Sequence, residues 1–183
     1  MNGEGQLGHM YNQAAILRGM KTQKALFAAG CFWGVQYYFD QVPGIIKSTA
    51  GYTGGHTENP TYDDVCTHTT GHAEAVLLEF DPGKVSYKTL LMQFFRMHDP
   101  TQLNRQGPDV GDSYRSAIFY FDQEQRKEAI AVRNKTQEDL DKPIVTQIEH
   151  AGPFYEAEAY HQKFTERTGM GMCHVPYAAV DEA

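Results

Sequence analysis

Cys31 is the residue of this chain whose setting most favours chemistry. It stands in Gly30-Cys31-Phe32-Trp33-Gly34, where the apolar run from Lys24 to Ala29 gives way to Phe32, Val35, Phe39 and Val42 at helical spacing. A cysteine at a strand-to-helix turn lies at the positive end of the helix dipole, beside backbone N–H groups that lack an intrahelical acceptor. Both favour thiolate over thiol, and the thiolate is the nucleophile. The flanking glycines permit a tight turn and close approach of a substrate backbone. Phe32 and Trp33 set two large apolar faces beside the sulfur. A blander reading carries comparable weight from position alone: cysteine is often simply buried beside core aromatics.

The chain has three cysteines, Cys31, Cys66 and Cys173, too few and too scattered for a secreted disulfide framework. There is no Cys-x-x-Cys, so structural zinc is not expected. His68, His72 and Glu74 invite a metal-hydrolase reading. Two histidines four apart suit zinc only on one helix face. Here Gly71 interrupts and His72 opens a strand, so no metal is expected.

These residues need a frame to bring them together. Lys24–Ala29 reads as a strand, Phe32–Val42 as a helix stopped by Pro43-Gly44, and Ile45–Tyr52 as a β-branched strand. His72–Phe80 is a further strand, ending in Asp81-Pro82-Gly83. Behind a Ser86 N-cap, Tyr87, Leu90, Leu91, Phe94 and Phe95 form an apolar helical stripe that reads as core packing. Arg115–Phe121 is a strand, and Asp122 with Gln125 resembles a capping box opening a polar helix to about Leu140. Pro143–His150 gives a last strand and Glu156–Arg167 a last helix. The first six elements run β-α-β-β-α-β, the split βαβ, ferredoxin-like order. The expectation is a two-layer α+β sandwich with helices on a mixed sheet. The long stretches Thr53–His72 and His98–Tyr114 lack periodicity, and loops of that length are often functional.

At 183 residues the chain fits one domain. We divide it into a flexible polar arm at 1–22, an α+β body at 23–168, and a glycine-rich mobile tail at 169–183 that carries Cys173. Gly8-His9-Met10 would suit a cloning-derived leader within the arm. The formal charge of -7 argues against a nucleic-acid binder. No stretch nears the ~20 apolar residues of a membrane span, and no early segment has a signal-peptide core. A cytoplasmic monomer is expected.

The pentapeptide Gly30–Gly34 resembles the GCFWG signature of the peptide methionine sulfoxide reductase A family. Further landmarks follow in order: Gly51-Tyr52-Thr53-Gly54-Gly55; Pro60-Thr61-Tyr62 leading to Val65-Cys66; and Thr70-Gly71-His72-Ala73-Glu74. Then come Gln106-Gly107 with Asp109 and Gly111, Tyr114-Arg115-Ser116, and Tyr160-His161-Gln162. The resemblance covers roughly Lys24 to Cys173 and implies a thiol-dependent reductase of methionine S-sulfoxide, free or in proteins. It gives Cys31 the role of nucleophile, passing through a sulfenic acid. Glu74 becomes the acid for the departing oxygen, which must be buried to keep its proton near neutral pH. Tyr62 and Tyr114 hold the oxygen, Asp109 helps position the site, and Phe32 with Trp33 cup the substrate methyl group. Cys173 falls at the recycling cysteine, implying a Cys31–Cys173 disulfide reduced by thioredoxin or an equivalent dithiol, with no bound cofactor. Cys66 reads as a structural core thiol.

The chain departs from the family pattern at Pro108 and at Asp112-Ser113, so that loop is open to a different shape. It also lacks the second recycling cysteine of some relatives. Two rivals remain: a thiol peroxidase, which has no use for a methyl-binding aromatic pair, and a non-catalytic binder of oxidised methionine. Turnover of hydrogen peroxide and a single-turnover assay, respectively, would expose them.

Overall fold

The computed structural model describes residues 21–175, so expectations for residues 1–20 and 176–183 lie outside the described residues. β1 (Gln23–Ala29) leads through Gly30 and Cys31 into α1 (Phe32–Asp40), and β2 (Ile45–Thr53) follows. A long loop holds the short α2 (Tyr62–Cys66); then come β3 (Ala73–Phe80) and α3 (Tyr87–Met97). The second long loop contains a small hairpin, β4 (Arg105–Gln106) and β5 (Asp109–Val110), and a 3-10 turn at Asp112–Tyr114. β6 (Ser116–Tyr120), α4 (Gln123–Gln137), β7 (Gln147–His150), β8 (Phe154–Glu156) and α5 (Phe164–Thr168) complete the order.

Six strands form one mixed sheet in the order β7-β6-β1-β3-β2-β8. Every pairing is antiparallel except β6 with β7, which is parallel. β1 and β3 lie at the centre, and their apolar runs are buried on both faces. Over one face, α1 and α3 close an aromatic core in which Phe27 lies 5.5 Å from Phe39 and 5.2 Å from Phe94. The other face is mostly alanine with Leu26 and Phe119, and the loop after β2 lies close against it at Gly54.

Ser86 caps α3 by accepting from Thr89 N at 3.0 Å. Asp122 caps α4 by accepting from Gln125 N at 2.8 Å. The expected reciprocal box does not close: the Gln125 side chain instead accepts from Phe121 N and donates to Lys24 O. The expected helix over Glu156–Arg167 is also corrected. Its first residue belongs to β8, which pairs with β2, and a 3-10 turn occupies Ala159–His161. Only Phe164–Thr168 is α-helical, entered through Lys163 at φ 54. The local sequence permits a helix, but the exposed edge of β2 offers backbone partners that a helix there would forgo. The last strand is likewise shorter than Pro143–His150, because only Gln147–His150 reaches β6.

This topology gathers the chemistry at one end of the sheet. Ala29 ends β1 opposite Ser116, which begins β6. Glu74 is the second residue of β3, opposite Tyr52 near the end of β2. Cys31, Glu74 and Tyr114 thus issue from neighbouring strand ends.

Candidate active site

Cys31 is the N-cap of α1, with no hydrogen bond from its side chain to the helix. It is buried, at 7% exposure. The backbone N–H of Trp33 favours its thiolate, as the helix start requires, but opposing influences win. Contact with Cys173, burial and the neighbouring Glu74 together push the Cys31 thiol well above its ordinary range. The low-pKa thiol expected from the helix terminus alone is therefore corrected for this closed arrangement.

The largest of those influences is the approach of the second thiol. Sγ of Cys31, Sγ of Cys173 and a carboxylate oxygen of Asp109 all lie within 4.8 Å of one another. Cys173 sits on a turn at φ 51, closed by Val175 N donating to Met172 O at 2.9 Å. Met172 and Val175 are buried against α1, where Gly34 leaves room for them. The glycine-rich tail is expected to reach Cys31, and in this structure residues 171–175 form a turn that presents the Cys173 sulfur to it.

Gly30 makes that seat possible. At φ +92 it occupies a region that favours glycine, and a Cβ there would fall 2.5 Å from His174 and 2.7 Å from Gln106. We expect Gly30→Ala to destabilise the protein by about 1–3 kcal/mol and to unseat the Cys173 turn. Urea unfolding together with the rate of disulfide formation checks this. Unchanged values in both would mean that the slot yields.

Glu74 is 3% exposed, and its Oε2 accepts from Phe32 N at 3.0 Å. Burial pushes its carboxyl up to about 8; that backbone N–H works against the rise, and Asp109 and Cys173 add to it. Glu74 is therefore a proton-bearing carboxyl at neutral pH, tied to the residue that follows Cys31.

Tyr62 opens α2 and Tyr114 ends the 3-10 turn; both are half-buried. Burial raises both phenols, with further contributions from Cys66, Glu74 and Tyr114 on Tyr62 and from Glu74, Asp109 and Cys31 on Tyr114. Both side chains thus share the field of the Glu74 carboxyl. His68 ties their two loops together: its Nδ1 lies 3.5 Å from Asp112 Oδ1 and 3.2 Å from Ser113 Oγ. Asp112 and Ser113, where the chain departs from the family pattern, thus serve as the clamp beside Tyr114. The metal-hydrolase cluster does not assemble. His72 accepts from Gly55 N and donates to Thr57 O, so both its ring nitrogens are committed to backbone.

Phe32 is fully buried against Tyr52 and His161, while Trp33 is half-buried and stacks on Phe164 at 3.9 Å. Two residues without an assigned role in the sequence reading organise this wall. His161 is 0% exposed, accepts from the Trp33 indole at 2.9 Å and packs 4.4 Å from the Tyr62 ring. Glu158 accepts from Tyr52 OH, Tyr62 N and Tyr160 OH. The signal was the density of ring and carboxyl side chains in Glu156–His161, which a helical reading spreads around a cylinder. Cys66 is not a core thiol but exposed: Val65 takes the inward position on the single turn of α2 and leaves Cys66 outside.

Comparison with known proteins bears on this arrangement. Residues 23–183 match the family model described as peptide methionine sulfoxide reductase. The chain is 54% identical over 157 residues to the peptide methionine sulfoxide reductase MsrA of Methanothermobacter thermautotrophicus, covering 85% of this chain and 93% of that protein. Reduced Mxr1 of Saccharomyces cerevisiae superimposes with a TM-score of 0.79 at 32% identity, covering 87% of this chain and 90% of that one. Mxr1 in complex with Trx2 gives a TM-score of 0.58 at 25% identity, over 79% of this chain and 85% of that one.

Proposed function

The chain belongs to the peptide methionine sulfoxide reductase family, and from that membership we propose how its residues share the work. The protein reduces methionine S-sulfoxide to methionine and draws its electrons from thioredoxin; the solved complex of yeast Mxr1 with Trx2 supports that reductant. Cys31 is the nucleophile on the sulfoxide sulfur. Glu74 gives its proton to the oxygen, which Tyr62 and Tyr114 hold by their phenols. Methionine leaves reduced, and the oxygen remains on Cys31 as a sulfenic acid, so that sulfur is the one oxidised. The observation that carries this reading is the buried Glu74 carboxyl, held at about 8 and bonded to Phe32 N beside the reacting sulfur.

Substrate entry adds a step to the account. Cys173 is the largest cause of the raised Cys31 thiol. A sulfoxide that displaces it removes that influence, so the Trp33 N–H, which favours the thiolate, is opposed only by burial and Glu74. After methionine leaves, Cys173 returns and its thiolate attacks Cys31 Sγ. An S–S bond forms, the S–O bond breaks, and the hydroxyl departs as water with one proton. Thioredoxin reduces the disulfide; no bound cofactor takes part. Asp109 steadies Cys173 in its turn. Trp33, with Phe32 behind it, lines the methyl side of the site. His161 holds the indole.

The frame fits the same reading. β6-β1-β3-β2 runs fourth–first–third–second among the strands of the β-α-β-β-α-β unit. That order supports a ferredoxin-like split βαβ, to which β7 and β8 add edges. Among the described residues no helix is long and apolar enough to cross a membrane. A reducing cytoplasm, with the enzyme as a monomer, suits a cycle that must return both thiols to the reduced form.

A thioredoxin-coupled assay on the separated sulfoxide epimers tests the function. The S epimer should turn over and the R epimer should not; the reverse preference would reject the reading. Cys173→Ser should still release one methionine per enzyme in a single turnover, then stall under thioredoxin. Undiminished thioredoxin-driven cycling in that variant would remove Cys173 from the resolving step.

A further inference from the structure

The same end of the sheet offers a ligand set that sulfoxide reduction does not use as such. Two sulfurs and a carboxylate oxygen, from Cys31, Cys173 and Asp109, lie within 4.8 Å of one another. Thiolate and carboxylate ligands together suit a borderline or soft divalent cation. With Zn–S bonds near 2.3 Å, tetrahedral ligands sit roughly 3.8 Å apart. Closing the present set onto an ion therefore needs about 1 Å of movement at most. The exposed turn bearing Cys173 can supply it, while Cys31 is fixed at the start of α1. A second observation points the same way: Oδ2 of Asp109 is a buried acceptor, and the Asp109 side chain already meets the Cys173 thiol.

We propose that the reduced enzyme binds a thiophilic divalent cation, zinc or cadmium, between Cys31, Cys173 and Asp109, and that the bound cation arrests turnover. Two S–H bonds break and their protons pass to solvent. Two metal–sulfur bonds and one metal–oxygen bond form, and no electron moves. A water completes the tetrahedron. The Cys31–Cys173 disulfide has no thiolate to offer, so the oxidised enzyme does not bind the ion. Cation and sulfoxide thus compete for the reduced form, and an occupied Cys31 is shielded from oxidation. The inference uses the same two cysteines as the proposed function but not their redox roles.

The test titrates the reduced full-length protein, under anaerobic conditions and without sulfoxide, with zinc by calorimetry and with cadmium by its thiolate charge-transfer absorption. One ion per chain should bind, and magnesium should not, because it prefers oxygen ligands. Cys31→Ser and Cys173→Ser should each weaken zinc binding by at least about 100-fold, since losing a direct ligand exceeds the 10–100-fold typical of outer-shell changes. Asp109→Asn should weaken it less, and Cys66→Ser should match the parent. Circular dichroism of each variant separates lost binding from lost fold. Absence of the cadmium–thiolate band in the folded, reduced parent would overturn the proposal, as would zinc binding that follows Cys66. A band without any sulfoxide reduction would remove the catalytic reading and leave this one standing; reduction without a band would do the opposite.

Discussion

Cys31→Ser is expected to lower sulfoxide reduction by at least about 10⁴-fold, the scale on which removing an enzyme nucleophile is felt. A serine oxygen in the same place is a far weaker nucleophile at neutral pH, and it cannot accept the sulfoxide oxygen as a sulfenic acid. Misfolding would be a poor explanation of the loss. Cys31 is the N-cap of α1 and makes no capping hydrogen bond, whereas serine is among the preferred N-cap residues. The variant should therefore unfold at or slightly above the parent's midpoint in urea while releasing no methionine in a single turnover. Retained methionine release would reject Cys31 as the nucleophile, whatever the second thiol does.

The elements framing the site were legible because their signals are local. β1, α1 and β3 carry long apolar runs or clean helical spacing, and Gly30, Pro43 and Asp81-Pro82-Gly83 punctuate them. The order of these elements also anticipates the convergence of Cys31 with Glu74, because both sit where a strand meets the same end of the sheet. The segment after β7 was not legible. Glu156–Arg167 has the composition of a helix, yet β2 claims its first residue by backbone pairing, and Gln162 is drawn onto Ala50 N and O. These are partners more than a hundred residues away, which no local pattern announces. Cys66 misled for a related reason: in a single helical turn, one inward residue fixes the face, and that residue is Val65. The seated Cys173 turn depends on two glycines, Gly30 and Gly34, whose missing side chains admit His174, Met172 and Val175. Sequence shows the glycines but not what fills the space they leave.

Glu74→Gln is expected to slow the chemical step by about 10²–10⁴-fold, the usual contribution of a positioned acid, while KM stays close to the parent's. Glutamine keeps the volume and an oxygen that can still accept from Phe32 N, so the helix start is preserved. What it loses is the acidic proton, and the pH profile isolates that loss. Burial holds the Glu74 carboxyl at about 8, so the parent carries its acid below that pH and surrenders it above. Ionisation of Cys31 runs the other way, its thiolate growing as pH rises. With the Cys31 thiol standing above its ordinary range and Glu74 at about 8, the parent's rate should climb to about pH 8 and then level off as loss of the acid offsets the gain in thiolate, whereas the variant should go on climbing. Stability gives an independent reading. The carboxyl rises from 4.5 to about 8 on folding, so the native state holds a proton that the unfolded chain releases. The resulting stabilisation is complete below 4.5 and is lost as pH rises to 8 and through it. In the glutamine variant this slope disappears, and the urea midpoint between those pH values should flatten. A variant that keeps both the levelling of the rate near pH 8 and the slope in stability would assign the buried proton to another group. If only the stability slope vanished while the rate stayed at the parent's level, Glu74 would be a buried acid that the reaction never calls upon.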